Sequence, residues 1–355
     1  MDKIALVVGA TGITGSHLAY ELVLNGWQTY GLARNPNLDL KGVHPIKADL
    51  LDKNSLQTAL QGITPTHVFF TTWMRKNTEA ENITVNGAMV RNLLDVLSSK
   101  KSLEHVSLVT GLKHYLGPFD AYVKEGLLPE TPVRETHPRL DFPNFYYAQE
   151  DEIYKAASRD GFSWSIHRPH TVIGKAEGNL MNMGTTLAVY ASICKETGRK
   201  FIWPGSEAQW NGISDVTDAS ILARQLIWAA STEAAKNKAF NIANGDVFRW
   251  SWLWKRIANW FNITSEGYNG SIRPLEKQLS QDTRIWNDIA NRYGLKESNL
   301  SVLASPWHTD LDLGRPIEVM TDMSSSRKLG FKEYQNTEES FIRLFEQLRI
   351  DRVIP

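Results

Sequence analysis

The chain has a single cysteine, Cys194, in 355 residues. That excludes an intramolecular disulfide and a thiolate zinc cluster, and it suits a reducing compartment such as the cytoplasm. Cys194 itself reads as a buried apolar residue. No uninterrupted apolar run approaches the roughly 18 residues that a membrane span requires. The first such run, Ile4 to Val8, breaks at Gly9, so the start of the chain reads as structure and a soluble protein is expected. Charge of one sign is also lacking: Lys+Arg and Asp+Glu both number 39. Without a basic excess, neither nucleic acid nor an anionic membrane is expected as a partner. No histidine-rich spacing suggests a metal, and there is no internal repeat.

What is present is enough chain for two domains or one enlarged α/β domain, at 42% apolar and 22% charged residues. The first hundred residues alternate short β-rich runs with longer helical patterns, the signature of parallel strands joined by crossover helices. Strands are expected at 3–8, 28–32, 43–46, 67–70, 105–109 and 164–167. Leu18, Leu22 and Val23 mark one apolar helix face; Val85, Met89, Val90, Leu93, Leu94 and Leu97 mark another. A further helix is expected to start at Asn144, an N-cap residue type. The prediction is a doubly wound parallel Rossmann sheet over residues 1–173. It is followed by a smaller, mostly helical substrate lobe over 174–355, some of whose strands and helices return to the Rossmann core. Trp is frequent in that second part, and each Trp is read first as core.

The apolar run Ile4 to Val8 leads directly into Gly9-Ala10-Thr11-Gly12-Ile13-Thr14-Gly15 and then a helical pattern. Gly9 permits a tight turn, Gly12 lets the backbone approach a pyrophosphate, and Gly15 allows close helix-to-strand packing. Thr11 and Ile13 belong to the same loop. At the end of the second strand the residues are Ala33, Arg34 and Asn35. With no carboxylate for a ribose hydroxyl and an arginine that can fork onto a 2′-phosphate, NADPH/NADP+ is favoured over NADH. Asp49, next to Leu50, can accept from an adenine amino group or cap a local turn.

The glycine loop on an alternating sheet resembles the short-chain dehydrogenase/reductase superfamily, in particular its extended branch. That branch normally carries Tyr-x-x-x-Lys. None of the 11 tyrosines here has Lys four residues later; Tyr146 is followed by Glu150 and Tyr147 by Asp151. After the fifth strand the chain instead reads Thr110-Gly111-Leu112-Lys113-His114-Tyr115-Leu116-Gly117-Pro118-Phe119. Later comes Asn144-Phe145-Tyr146-Tyr147-Ala148-Gln149-Glu150-Asp151.

These two stretches resemble the progesterone 5β-reductase/iridoid synthase-like family, NADPH-dependent reductases of activated carbon–carbon double bonds. The resemblance continues through His167-Arg168-Pro169, the Cys194 segment, Trp210 to Asp215 and Asn244 to Phe248. It implies that Lys113 and Tyr146 are the catalytic pair; from the residues alone, Tyr146 and Tyr147 are equivalent choices. It also implies a cofactor site at Gly9, Thr11, Gly12, Ile13, Gly15, Arg34, Asp49, Leu50, Thr71, Thr72, Trp73, Thr110, Tyr146, Thr171 and Val172. An apolar, fairly open substrate pocket is implied around Trp73, Phe119, Met181, Trp307 and His308. Two departures bear on substrate shape: His170-Thr171 follows Arg168-Pro169 where plant members carry small or amide residues, and His308 stands where a Phe is usual.

The chemistry implied is 1,4-reduction of a small apolar enone or enal, with Tyr146 hydrogen-bonded to the carbonyl oxygen and Lys113 supplying positive potential. A homodimer is compatible with the superfamily. Two alternatives stay open on the residues alone. One is an extended short-chain carbonyl reductase or sugar-nucleotide epimerase, against which the missing Tyr-x-x-x-Lys counts. The other is an NADP-binding redox sensor without catalysis, against which a nameable substitute pair counts.

Overall fold

The computed structural model describes residues 3–36, 41–117, 129–176 and 181–355. Strand β1 (Ile4–Val8) has four of its five residues buried, as expected of a strand covered on both faces. It lies inside a seven-stranded parallel sheet, between β2 (Gln28–Ala33) and β4 (His67–Phe70). Outside β2 lies β3 (Val43–Lys47). Outside β4 follow β5 (His105–Val109), β6 (Ser163–Pro169) and β7 (Lys238–Ile242). The order β3-β2-β1-β4-β5-β6-β7 is that of a doubly wound sheet, with its reversal between β1 and β4.

The side-chain alternation of β1 assigns the two layers. Ala5 and Val7 join Leu18 and Leu22 of the helix Ile13–Leu24 and Leu222 and Leu226 of the helix Ala219–Ser231. Leu6 and Val8 face the other way, toward Val90, Leu93 and Leu94 of the helix Glu79–Ser98 and Ile153 of the helix Phe145–Asp160. The sheet departs most from the expected strands at its β6–β7 edge. β6 runs to Pro169 because β7 pairs alongside it up to Ile242↔Pro169. β7 itself was not placed, since Asn241 interrupts its apolar run; that residue is buried and accepts a hydrogen bond from Tyr115 Oη at 2.6 Å.

A separate core fills the carboxyl-terminal part, built on the helix Met183–Thr197 with Phe201, Trp203, Trp250, Trp254, Trp286 and Phe341. Phe201 stacks on Trp254 at 3.9 Å. Trp252, on the outer face of its helix, is 47% exposed. Trp228 belongs to the sheet side, packed on Phe240 and Phe331. Among the described residues, no helix is long and apolar enough to cross a membrane.

Candidate active site

The glycine loop turns at Gly9, whose φ of +87° an L side chain rarely adopts. A Cβ at Gly9 would stand 2.6 Å from Thr72 Cβ, and one at Gly15 would stand 2.2 Å from the Gly9 carbonyl oxygen. The protein itself therefore requires both glycines. Gly12 differs: its φ is −81°, and a Cβ there would meet only the Gly9 oxygen at 3.4 Å. Gly12 caps the helix Ile13–Leu24 without any side-chain hydrogen bond. No capping side chain therefore takes the first N–H groups of the helix, and its positive end suits a pyrophosphate.

Beside this loop lies a cavity of about 280 Å³, lined by the end of β2 and by the loops that follow β1, β2, β3 and β4, on the side where the sheet order reverses. Of the residues expected there, Gly9, Thr11, Arg34, Asp49, Leu50, Thr72 and Trp73 form its wall. Arg34 is exposed and makes no ion pair or side-chain hydrogen bond among the described residues. Asp49 accepts from Leu51 N at 2.9 Å through Oδ1, so it caps its turn and also lines the cavity. Leu32, Ala33, Ala48, Met74, Arg75 and Met89 complete the wall and were not foreseen. For Arg75 no local pattern was available; its guanidinium lies 3.8 Å over the ring of Trp307, 232 residues further along the chain.

The other expected cofactor residues lie outside that wall. Thr71 donates through Oγ1 to the Val8 carbonyl at 2.8 Å, beneath the loop. Thr110 is buried and bonds through its N–H to His167 O at 2.8 Å. Thr171 donates to Asp312 Oδ2 at 2.8 Å, and Val172 pairs in a two-residue strand with Thr217. Gly12 caps the helix Ile13–Leu24, Ile13 and Gly15 lie in its first turn, and Tyr146 sits at the second cluster described next.

Lys113 begins a single helical turn after β5, and Tyr146 lies in the first turn of the helix Phe145–Asp160. Asn144 joins them: its Oδ1 accepts from Tyr146 N at 3.0 Å while its Nδ2 donates to the Lys113 carbonyl at 3.0 Å. The Lys113 ammonium lies 4.6 Å over the Phe145 ring, which is 4.4 Å from the Tyr146 ring and stacks on Trp73 at 4.9 Å. Its Nζ is 2.7 Å from Glu79 Oε2. Burial pushes the ammonium below its ordinary pKa; Glu79 opposes that push and Arg75 adds to it. The Tyr146 hydroxyl makes no hydrogen bond among the described residues. It passes over Gly111, where a Cβ would lie 3.2 Å from it. Burial raises its pKa, and Glu79 and Asp312 raise it further, so the phenol stays protonated and keeps a proton to donate.

Tyr147 has a different fate, since its hydroxyl donates to His114 O at 2.6 Å and accepts from Leu140 N at 3.0 Å. Glu150, four residues after Tyr146, is buried among Arg168 at 3.2 Å, Arg139 at 2.7 Å and His114 at 3.5 Å. Burial alone would raise its carboxyl; His114, Arg168 and Arg139 together bring it down to about 2. The position that holds lysine in Tyr-x-x-x-Lys is here a structural anion.

On the substrate side, Trp73 lines the cavity and Trp307 meets Arg75. His308 Nδ1 is buried with no hydrogen-bond partner among the described residues, and burial lowers the ring's pKa. Met181 is half-buried just before its helix, and Phe119 lies outside the described residues. His170 is buried between Asp215 Oδ1 at 2.7 Å and Arg315 Nη1 at 2.8 Å, and Arg315 also pairs with Asp312. His170 therefore accepts from Arg315 at Nε2 and donates to Asp215 from Nδ1, a structural role. Among the described residues no group of His, Cys, Asp and Glu is arranged to hold a metal.

A doubly wound parallel sheet, a glycine loop at its reversal point and a Lys/Tyr cluster after β5 define a Rossmann protein of the extended short-chain dehydrogenase/reductase type. Comparison with known proteins narrows this. A family profile described as a PRISE-like Rossmann-fold domain matches residues 45–355. An (S)-8-oxocitronellyl enol synthase from Nepeta cataria is 36% identical, covering 100% of this chain and 94% of its own. A 3-oxo-Δ(4,5)-steroid 5-β-reductase from Arabidopsis thaliana is 37% identical with the same coverage. The chain belongs to the PRISE-like family, that of progesterone 5β-reductase and iridoid synthase. Among solved structures, the UDP-glucose 4-epimerase of Thermotoga maritima superimposes with a TM-score of 0.69 at 14% identity, covering 98% of this chain and 99% of its own. That likeness shows the fold.

Proposed function

We propose that this protein is an NADPH-dependent reductase that adds hydrogen across the C=C bond of a small, apolar α,β-unsaturated carbonyl compound. The observation that carries the reading is the Tyr146 hydroxyl, protonated and unpartnered among the described residues, in one cluster with Lys113. Family membership supports the cofactor and the reaction class. A 3-oxo-Δ(4,5)-steroid, named for the Arabidopsis relative, is a ketone conjugated to a double bond, the functional group that such a cluster suits.

The residues present fit a dinucleotide. The N–H groups after Gly12 would hold the pyrophosphate, Arg34 the 2′-phosphate, and Asp49 and Leu50 the adenine end, with Thr72 and Trp73 further along the cavity. When bound, the reduced nicotinamide supplies a hydride equivalent to the substrate β-carbon. As the β-carbon gains it, the double-bond electrons move onto the carbonyl oxygen as an enolate. Tyr146 donates a hydrogen bond to that oxygen, where the negative charge develops. Lys113 contributes positive potential, moderated by its pairing with Glu79. The α-carbon then takes a proton from water, which balances the reaction without a second protein acid. The aromatic faces of Trp73 and Trp307 suit an apolar substrate. A cytoplasmic location fits the single, buried cysteine, and a homodimer is the proposed assembly.

The test is NADPH consumption against enones, enals and matched saturated ketones, with NADH in parallel and products identified by mass. Saturated carbonyl product supports the reading. Alcohol product indicates carbonyl reduction, and tight NADPH binding without turnover indicates a sensor; either contradicts it.

A further inference from the structure

Glu79 is the first residue of the helix Glu79–Ser98, where an acid ordinarily serves the helix end. That end is already served. Thr78 and Glu81 form a capping box, with Glu81 N bonded to Thr78 Oγ1 at 3.2 Å and Thr78 N to Glu81 Oε2 at 3.0 Å. The Glu79 carboxylate reaches beyond its own helix instead. Oε2 takes the Lys113 ammonium at 2.7 Å and Asn82 Nδ2 at 3.3 Å, and Oε1 accepts from Phe145 N at 2.8 Å. One side chain thus ties the ammonium after β5 to the first N–H of the helix that carries Tyr146.

We propose that Glu79 is a positioning residue for the reductive step, holding the Lys113 ammonium against the first turn of the Tyr146 helix and acting on the chemistry through Lys113. The inference rests on the roles given above to Lys113 and Tyr146. Asn144 makes the matching backbone link, but it is neutral; Glu79 alone adds charge to it. Both Glu79 and Lys113 retain 22% side-chain exposure. The charged groups facing Lys113 are Glu79 and Arg75; those acting on Tyr146 are Glu79 and Asp312, and His308 lies between Asp312, Arg315 and Arg75. Removing the Glu79 charge leaves burial and Arg75 unopposed at Lys113, so the ammonium loses its proton at lower pH. The Tyr146 phenol is held protonated first by burial and only then by Glu79 and Asp312, so the shift is read through Lys113.

The experiment compares wild type, Glu79→Gln, Glu79→Asp, Lys113→Met and the double variant Glu79→Gln/Lys113→Met. Measurements are kcat against pH with NADPH and an enone, NADPH Kd by fluorescence, and Tm. Gln keeps an acceptor for Phe145 N, and Tm reports folding. Expected for Glu79→Gln is an alkaline limb moved to lower pH and a kcat about tenfold down above neutrality, the scale of one charged hydrogen bond. NADPH Kd stays within about twofold, and Glu79→Asp recovers part of the rate. In the Lys113→Met background, Glu79→Gln changes kcat by less than about twofold if it acts through Lys113. An unmoved limb, or an equal loss in both backgrounds, overturns the positioning role while leaving Lys113 in place. Wild-type rate in Lys113→Met overturns the Lys113 assignment itself, and this inference with it.

Discussion

Tyr147 donates its hydroxyl proton to the backbone carbonyl of His114 at 2.6 Å, and the same oxygen accepts the Leu140 N–H at 3.0 Å. Adjacent Tyr146 has no such partner among the described residues, so the two phenols divide between structure and chemistry. Tyr147→Phe is expected to cost about 1–3 kcal/mol of stability, because two buried backbone groups lose their partner. Its kcat should stay close to wild type. Tyr146→Phe should keep its Tm and lose on the order of 10²- to 10³-fold in kcat. Thermal melts and steady-state rates on the two variants read both halves; an exchange of the two phenotypes would reverse the assignment.

The glycines of the loop separate in the same manner. Gly15→Ala places a methyl 2.2 Å from the Gly9 carbonyl oxygen. It should destabilise the fold by roughly 1–3 kcal/mol or more. Gly12→Ala has room within the protein and should cost at most about 1 kcal/mol. NADPH affinity should nonetheless fall at least about tenfold, since the methyl takes the space that the phosphates need. Calorimetry on both variants, with and without NADPH, distinguishes these outcomes.

Arg34 lines the cavity with its guanidinium uncommitted among the described residues. Arg34→Ala should weaken NADPH binding about 10- to 100-fold and leave NADH nearly unchanged, because a charge-assisted bond to the 2′-phosphate is lost. Equal loss for both cofactors would place the arginine elsewhere than at the 2′-phosphate.

Glu150 makes acid stability a readout of its buried ion network. Its folded pKa, about 2, lies below the ordinary 4.5. The stabilisation is therefore complete above the unfolded value and is lost as pH falls toward the folded one. Glu150→Gln should lower Tm near neutral pH, consistent with roughly 3–5 kcal/mol for breaking a buried pair. Its Tm should then change less than that of wild type across the acid window. Parallel slopes for both proteins would show that Glu150 gains nothing from Arg168 and Arg139.

The sequence made some of this legible and hid the rest for physical reasons. β1, its glycine loop and the Asn144 cap are local patterns, and local patterns survive folding. β6 was read short because its last residues, Arg168 and Pro169, are held in the sheet only by the distant β7. Glu79, Arg75 and Asp312 went unnoticed because each matters through a partner far along the chain: Lys113, Trp307 and Thr171. Tyr146 and Tyr147 are indistinguishable as neighbours in sequence; only the backbone groups around Tyr147 separate them. His170 and His308 were singled out as unusual, but their surroundings, one fully bonded and the other lacking a partner at Nδ1 among the described residues, needed the fold.

The most direct test of the central claim follows the transferred hydrogen. NADPH deuterated at nicotinamide C4, each face in turn, is incubated with the protein and an enone, and the product is examined by mass spectrometry and NMR. Reduction across the C=C bond predicts deuterium at the β-carbon of a saturated carbonyl compound, from one face of the cofactor, with the transfer lost in Tyr146→Phe. Deuterium on a carbinol carbon, or transfer undiminished in Tyr146→Phe, would contradict the account.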